Sequence, residues 1–339
     1  MDIPMTDTIS RTHVYRWVTR PARAGIVALG LASTCVVALA QQYPTRPIRM
    51  IIPAGPGGGA DTIGRTLGAP LGAALGQPVV IDNRPGAGTL LASEITAKAP
   101  PDGYTLLLVT NSHAINAAIQ RQLRYDPIND FSYVSLVASV PYWIVVHPSV
   151  PARSIKELIA LAKRRPGELN YASAGSGSGT HLAFELFQSM AQIRLEHVPY
   201  KGGTLAVVDL LAGHVQLMAS NTINTRPHVL AKKLNALAIT SEKRSPLYPN
   251  VPTVDEAGVR GYQADAWYGV LAPGKTPAEI VTRLNREIVT ILKTGDAREK
   301  LAAQGADVMG STPEKFVQAM KAEIAKWTKV TSGIKLQVE

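Results

Sequence analysis

Ile52-Pro53-Ala54-Gly55-Pro56-Gly57-Gly58-Gly59-Ala60-Asp61 leaves a short apolar strand, read from Pro47 to Ile52, and runs into a helix read from about Asp61 to Leu75. Further along, Ser173-Ala174-Gly175-Ser176-Gly177-Ser178-Gly179-Thr180 has the same placement, between a strand from Leu169 to Ala172 and a helix from Thr180 to Ala191. Glycine lets the backbone approach a ligand closely and adopt positive φ. A helix start adds N–H groups without intrahelical acceptors and a partial positive charge, which suits an anion. In open α/β sheets ligands bind beyond the carboxyl ends of the strands. Two matching loops therefore predict one negatively charged ligand held between two α/β units. Taken singly, each loop also reads as a tight strand-to-helix turn.

The pattern around the loops alternates strand and helix. Strands are read at Pro78 to Ile81 and at Tyr104 to Thr110, the latter after the turn Pro101-Asp102-Gly103. Residues 133–147 hold two short apolar runs broken at Pro141. Ser154-Ile155-Lys156-Glu157 has capping-box spacing and opens a helix that Pro166-Gly167 stops. After the second loop come strands at Leu195 to Pro199, Val215 to Ala219 and Leu237 to Thr240. Short apolar strands between helices predict parallel sheets covered on both faces. The C-terminal part is helical: Thr276-Pro277-Ala278-Glu279 opens one helix and Thr312-Pro313 the last, whose Phe316, Met320, Ile324 and Trp327 form a core stripe.

The N-terminus reads differently. Arg11, Arg16, Arg20 and Arg23 precede an apolar run from Ala24 to Ala40 that ends in Ala38-Leu39-Ala40, the layout of a secretory signal peptide cleaved after Ala40. The alternative is an N-terminal membrane anchor, for which the run is short. Cleavage would remove Cys35, the single cysteine, and leave no thiol, disulfide or cysteine-ligated metal. The 339 residues carry 46% hydrophobic residues, which excludes disorder and allows two domains. The net charge of +10 is diffuse, without a Lys/Arg block interleaved with aromatics, so no nucleic-acid partner is expected.

Motifs for chemistry are missing. No serine has glycine two residues to either side at a strand-to-helix elbow, and there is no H-E-x-x-H. His181 and Glu185 are four apart on a helix, a spacing common in ordinary packing. Gly55-Pro56-Gly57-Gly58-Gly59-Ala60 satisfies G-x-G-x-x-A, with Asp82 ending the next strand, and so imitates a dinucleotide fingerprint. Export without twin arginines argues against that cofactor.

An ordered set of motifs brings a resemblance. It runs Pro47-Ile48-Arg49, Pro53 to Gly58, Asn83-Arg84-Pro85-Gly86-Ala87-Gly88, Pro101 to Thr105, Asn170 to Ser173, Val198-Pro199-Tyr200-Lys201-Gly202-Gly203, Asp209 to Gly213, Trp267-Tyr268-Gly269 and Ala272 to Pro277. In these, nearly all of the chain after Tyr43 resembles the periplasmic solute-binding receptors of tripartite tricarboxylate transporters, the Bug family. The resemblance implies an α/β, two-lobed, periplasmic-binding-protein-like (Venus flytrap) fold. Each lobe would be a mostly parallel sheet flanked by helices, joined by two crossover strands. It implies a periplasmic, monomeric receptor that is not an enzyme and needs no cofactor or metal. A small carboxylate (a di- or tricarboxylate, an acidic amino acid or an aromatic acid) would sit between the glycine loops. The closed form would dock on inner-membrane permease subunits of the tripartite tricarboxylate type.

Carried onto this chain, lobe one holds 41–141 and 263–339, lobe two 142–262, with crossings near Pro141 and Asp265 to Gly269. Gly57, Gly58 and Gly59 are expected to donate from lobe one, and Ser173, Ser176, Gly177, Ser178 and Thr180 from lobe two. Asn111 and Ser112, and Asn221 with Thr222, follow strands and face the cleft or cap helices. Asp61 caps its helix or accepts from a ligand amine. Lys201 pairs with a carboxylate or is solvated, and Tyr268 walls the pocket or packs in the core. Pro53, Ala54 and Gly202 complete the candidate set. Two other functions stay open: a carboxylate sensor passing its closed form to a signalling partner, and an exported enzyme.

Overall fold

The computed structural model describes residues 43–119 and 122–332. The expected signal peptide, residues 1–40 with Cys35, lies outside them. The first half of the fold runs β1 (Ile48–Ile52), α1 (Gly59–Leu75), β2 (Val79–Asn83), a 3-10 turn (Ala87–Thr89), α2 (Leu90–Ala97), β3 (Thr105–Thr110) and α3 (Ser112–Ala118). The long strand β4 (Phe131–Val146) leads to α4 (Ile155–Arg164), β5 (Asn170–Ser173), α5 (Gly179–Ala191), β6 (Glu196–Pro199), α6 (Gly203–Ala212), β7 (Leu217–Asn221), α7 (Thr222–Leu230) and β8 (Asn235–Ile239). The chain returns on β9 (Asp265–Pro273) and ends with α8 (Ala278–Lys293), α9 (Asp296–Ala303), β10 (Asp307–Val308) and α10 (Pro313–Ser332).

The strands lie in the order β2-β1-β3-β9-β4-β7-β5-β6, with β8 and β10 also on β4. The parallel reading holds for β2-β1-β3 at one end and β6-β5-β7 at the other. The two long strands between them, β4 and β9, run antiparallel to each other and to their neighbours. Period-two alternation sends side chains to both faces. In β1 and β3, Ile48, Met50, Ile52, Leu106 and Leu108 pack with Ile63, Leu67 and Leu71 of α1. Ile51, Leu107 and Val109 face the other way, with Ala92, Phe316 and Met320. The second half repeats this. Tyr171, Leu217 and Ala219 pack with Phe184 and Phe187 of α5, and Ala172, Trp143 and Met218 with Ala206 and Leu210 of α6.

One element differs from the sequence reading. The apolar runs expected to break at Pro141 form a single 16-residue strand. Proline lacks an N–H, so a strand tolerates it only where no ladder bond is needed from that side. Pro141 pairs with Asp265 at the last position of the β4–β9 ladder, and β4 takes β7 from Tyr142 onward. Partners change at the proline; the strand continues. Thr276, which opens the motif read before α8, does not cap that helix: its hydroxyl donates to Pro273 O (2.7 Å), and α8 starts after Pro277 without a side-chain cap. Ser154 does cap α4, accepting from Glu157 N–H at 3.2 Å.

Candidate functional site

The glycine-rich loops meet the start of their helices with nearly the same geometry. Gly57 and Gly177 both have φ of 76°, in the left-handed region where only glycine is unstrained. The next residues are extended: Gly58 has φ −73° and ψ 163°, Ser178 φ −75° and ψ 159°. Gly58 N–H donates to Gly55 O (3.3 Å), and Ser178 N–H to Gly175 O (3.0 Å). In each loop the positive-φ glycine donates to the side chain four residues on: Gly57 N–H to Asp61 Oδ2 (2.9 Å), Gly177 N–H to His181 Nδ1 (3.1 Å).

The correspondence extends across the cleft. Asn111 follows β3, and its Nδ2 donates to Tyr142 Oη on β4 at 3.4 Å and to Asp265 O at 3.0 Å. Asn221 follows β7, and its Nδ2 donates to Tyr268 Oη on β9, also at 3.4 Å. Each asparagine abuts the helix start of the other half. A Cβ on Gly179 would lie 2.7 Å from Asn111 Nδ2 and closer still to Tyr142 Oη; one on Gly59 would lie 2.9 Å from Asn221 Cγ. Gly179 N–H also donates to Ser112 Oγ across the cleft (3.2 Å). Glycine is required at 59 and 179 because the side chains of Asn221, and of Asn111 and Tyr142, approach there.

These elements enclose a cavity of about 400 Å³. Of the candidate residues, Pro53, Ala54, Gly58, Gly59, Asn111, Ser112, Ser176, Ser178, Thr180, Lys201, Gly202, Asn221 and Tyr268 line it. Gly57, Asp61, Ser173 and Gly177 do not. The Gly57 and Gly177 N–H groups are taken by their own loops, so they are not donors to the cavity as expected. Ser173 is fully buried; its Oγ accepts from Gly175 N–H (3.1 Å) and lies 2.6 Å from His197 Nε2. Burial pushes the His197 pKa down to about 4, keeping it neutral. Asp61 neither caps its helix nor faces a ligand amine. It accepts from Gly57, from Arg65 Nε (3.0 Å) and from Asn83 Nδ2 (3.0 Å). Burial pushes the Asp61 pKa up, but these hydrogen bonds outweigh it and hold the carboxyl below its usual range.

The backbone donors that remain are informative. Among the described residues, the N–H groups of Gly59, Ala60, Ser176 and Thr180 have no acceptor, and all four residues line the cavity. The α1 start also lacks a side-chain cap. Among the described residues of the lining, Lys201 is the only one with a charged side chain, and no carboxylate is there. The wall also includes Pro85, Gly86, Gly88 and Thr89 after β2, Tyr142, Tyr200 and Asn224. Sequence reasoning quoted the 83–88 motif without assigning it to the site. It missed Tyr142, which reads as one more apolar strand residue. Among the described residues no His/Cys/Asp/Glu group is arranged to hold a metal, and no helix is long and apolar enough to cross a membrane.

The family model described as "Tripartite tricarboxylate transporter family receptor" matches residues 63–336. The chain belongs to this family. Protein BugT of Bordetella pertussis is 40% identical over 320 residues, 93% of this chain and 96% of BugT. Rpa4515 of R. palustris, solved with adipate, shares 39% identity at a TM-score of 0.83, over 86% of this chain and 98% of that one. MatC of Rhodopseudomonas palustris, solved with bound malate, shares 32% identity at a TM-score of 0.81, over 85% of this chain and 99% of that one. The receptor thus has the two-lobed α/β fold of periplasmic binding proteins. Its family is one of solute-binding receptors, with carboxylate binders among its solved members.

Proposed function

We propose that this receptor captures a small carboxylate in the cavity between the two glycine-rich loops and delivers it to a membrane permease of the tripartite tricarboxylate type. The observation that carries the reading is the set of four unaccepted N–H groups, two from each loop, on a wall without acidic side chains. An anion touching both loops favours the closed state, because only that state offers both donor pairs. Lys201 and the nearby start of α6 suit a second carboxylate, and adipate and malate in the related receptors motivate dicarboxylates as first candidates. In this reading β4 and β9 are the crossovers of the hinge, lobe one is 41–141 with 263–339, and lobe two is 142–262. Residues 1–40 direct export and are removed after Ala40, which places the monomeric receptor in the periplasm without catalytic activity.

The test is a thermal-shift panel of mono-, di- and tricarboxylates, acidic amino acids and aromatic acids, followed by calorimetry. Ligand at 100 times Kd stabilises by about 2.7 kcal/mol. A panel that leaves the melting temperature unmoved at millimolar ligand refutes carboxylate capture. Uptake of the binding acid, unchanged on deletion of the gene, refutes delivery.

A further inference from the structure

The two loops share their turn geometry and differ in the residue that braces it. In lobe one the acceptor for Gly57 N–H is a carboxylate, Asp61; in lobe two the acceptor for Gly177 N–H is an imidazole, His181. We propose that Asp61 and His181 are the positioning residues of the two cradles, and that His181 makes solute capture sensitive to acid while Asp61 does not. This rests on the reading that the cavity takes a carboxylate.

The argument is geometric. His181 is 1% exposed. Its Nδ1 faces an N–H and must offer a lone pair, which puts the ring proton on Nε2. That nitrogen lies 3.8 Å from Glu185 Oε1 on the same helix. Glu185 also accepts from Tyr171 Oη on β5 (2.5 Å) and Gln188 Nε2 (2.9 Å). From β6, His197 stacks on His181 with centroids 4.0 Å apart, and Tyr171 stacks more distantly. A second proton on His181 places an N–H on Nδ1, opposite Gly177 N–H. Two donors then face each other, Gly177 loses its acceptor, and the turn that presents Ser176 and Thr180 shifts. In lobe one the same position holds Asp61, which Arg65 and Asn83 keep ionised. It remains an acceptor through the same pH range. Because only one cradle loses its brace, acid weakens the two-loop grip.

The test uses the mature receptor, with adipate and malate as probes, and compares wild type, His181→Asn and His181→Leu between pH 7.5 and 4.0, a range extended into acid because the ring is buried and stacked on His197. Asparagine places an oxygen where Nδ1 stands, as Asp61 does in lobe one. His181→Leu is expected to lose about tenfold in affinity at pH 7.5, the cost of an unsatisfied buried donor, and His181→Asn to recover most of it. Wild-type affinity is expected to fall more steeply with acid than that of His181→Asn; protonation of the probe is common to both and cancels in the ratio. Nitrogen shifts of the imidazole in ligand-free protein are expected to show the Nε2–H tautomer at neutral pH. Equal pH slopes for wild type and His181→Asn, or a proton on Nδ1 at neutral pH, overturn the proposal. If neither probe binds wild type, the carboxylate reading fails for these acids, and amide exchange decides the brace. Gly177 N–H protected in wild type and in His181→Asn but fast in His181→Leu supports it; equal exchange in all three overturns it.

Discussion

Gly179→Ala tests the idea that the cavity is closed by close contact between halves. The added Cβ would stand 2.7 Å from Asn111 Nδ2 and nearer to Tyr142 Oη. Neither atom is at the end of a flexible chain. Asn111 is held by Asp265 O and is 2% exposed, and Tyr142 is buried on β4. Overpacking of a tight contact costs about 1–3 kcal/mol. Parting the lobes relieves the Asn111 contact, whereas Tyr142 lies in lobe two with Gly179 and its contact is met in both states. The Asn111 share of the penalty falls on the closed population, and apparent affinity drops by that factor, about 5- to 150-fold. Position 179 is the first residue of α5 and has no left-handed φ, so alanine suits the helix itself. The ligand-free melting temperature carries the Tyr142 share, a fall of about 3 °C for each 1 kcal/mol in a chain of this size. Gly59→Ala meets Asn221, on the other lobe, so its penalty falls on the closed state alone, and in the double variant the losses should add, since the closed, bound state carries both clashes. Gly55→Ala, with no atom within 4 Å of its Cβ, is the control. The assay is calorimetry with the acid that shifts the melting temperature most, with small-angle scattering to follow opening. Wild-type affinity in both variants, or a loss in Gly59→Ala matched by a large fall in ligand-free stability, refutes the reasoning.

Three further predictions concern charge and caps. Asp265 lies at the start of β9, its Oδ1 accepting from Thr240 Oγ1 (3.2 Å), and burial raises its pKa to about 6 against the opposing Thr240 hydrogen bond and the Lys326 charge. A carboxyl whose folded pKa is raised destabilises above that pKa, and the penalty fades as pH falls from about 6 towards 4. Asp265→Asn should therefore stabilise the receptor at pH 7–8 by about 1–2 kcal/mol, allowing for partial solvent access, and flatten stability between pH 6 and 4; an unchanged denaturation profile contradicts this. Lys201→Met should weaken carboxylate binding by about 1.5- to 5-fold and reduce its salt dependence, measured by titration at two ionic strengths. Ser154→Ala should cost about 1 kcal/mol in urea unfolding, with binding unaltered, because it removes the α4 cap far from the cavity.

Much of the architecture was legible because two local signals repeated. The loop after β1 and the loop after β5 announced strand-to-helix turns, and glycine spacing placed both helix starts within two residues. Asn111 and Asn221 could be named from their position after a strand. The directions of N–H groups could not. Gly57 and Gly59 look alike in sequence, yet one N–H turns into its own loop and the other has no acceptor. The i+4 acceptor was the available clue: Asp61 and His181 each stand four residues beyond a glycine with positive φ. Tyr142 and Thr89 reach the cavity only through tertiary placement, and nothing nearby in sequence marks them. Pro141 misled because a proline ordinarily ends a strand, and only the exchange of neighbours at that point explains its tolerance.

The unclaimed main-chain amides bear on how such receptors diversify. An N–H belongs to every residue but proline, so an anchor built from it persists through mutation as long as the turn keeps its shape. The remaining wall, including Tyr200, Met218 and Asn224, is made of replaceable side chains. Gene duplicates are thus free to change cargo by altering that wall, while the handle they grasp stays the same.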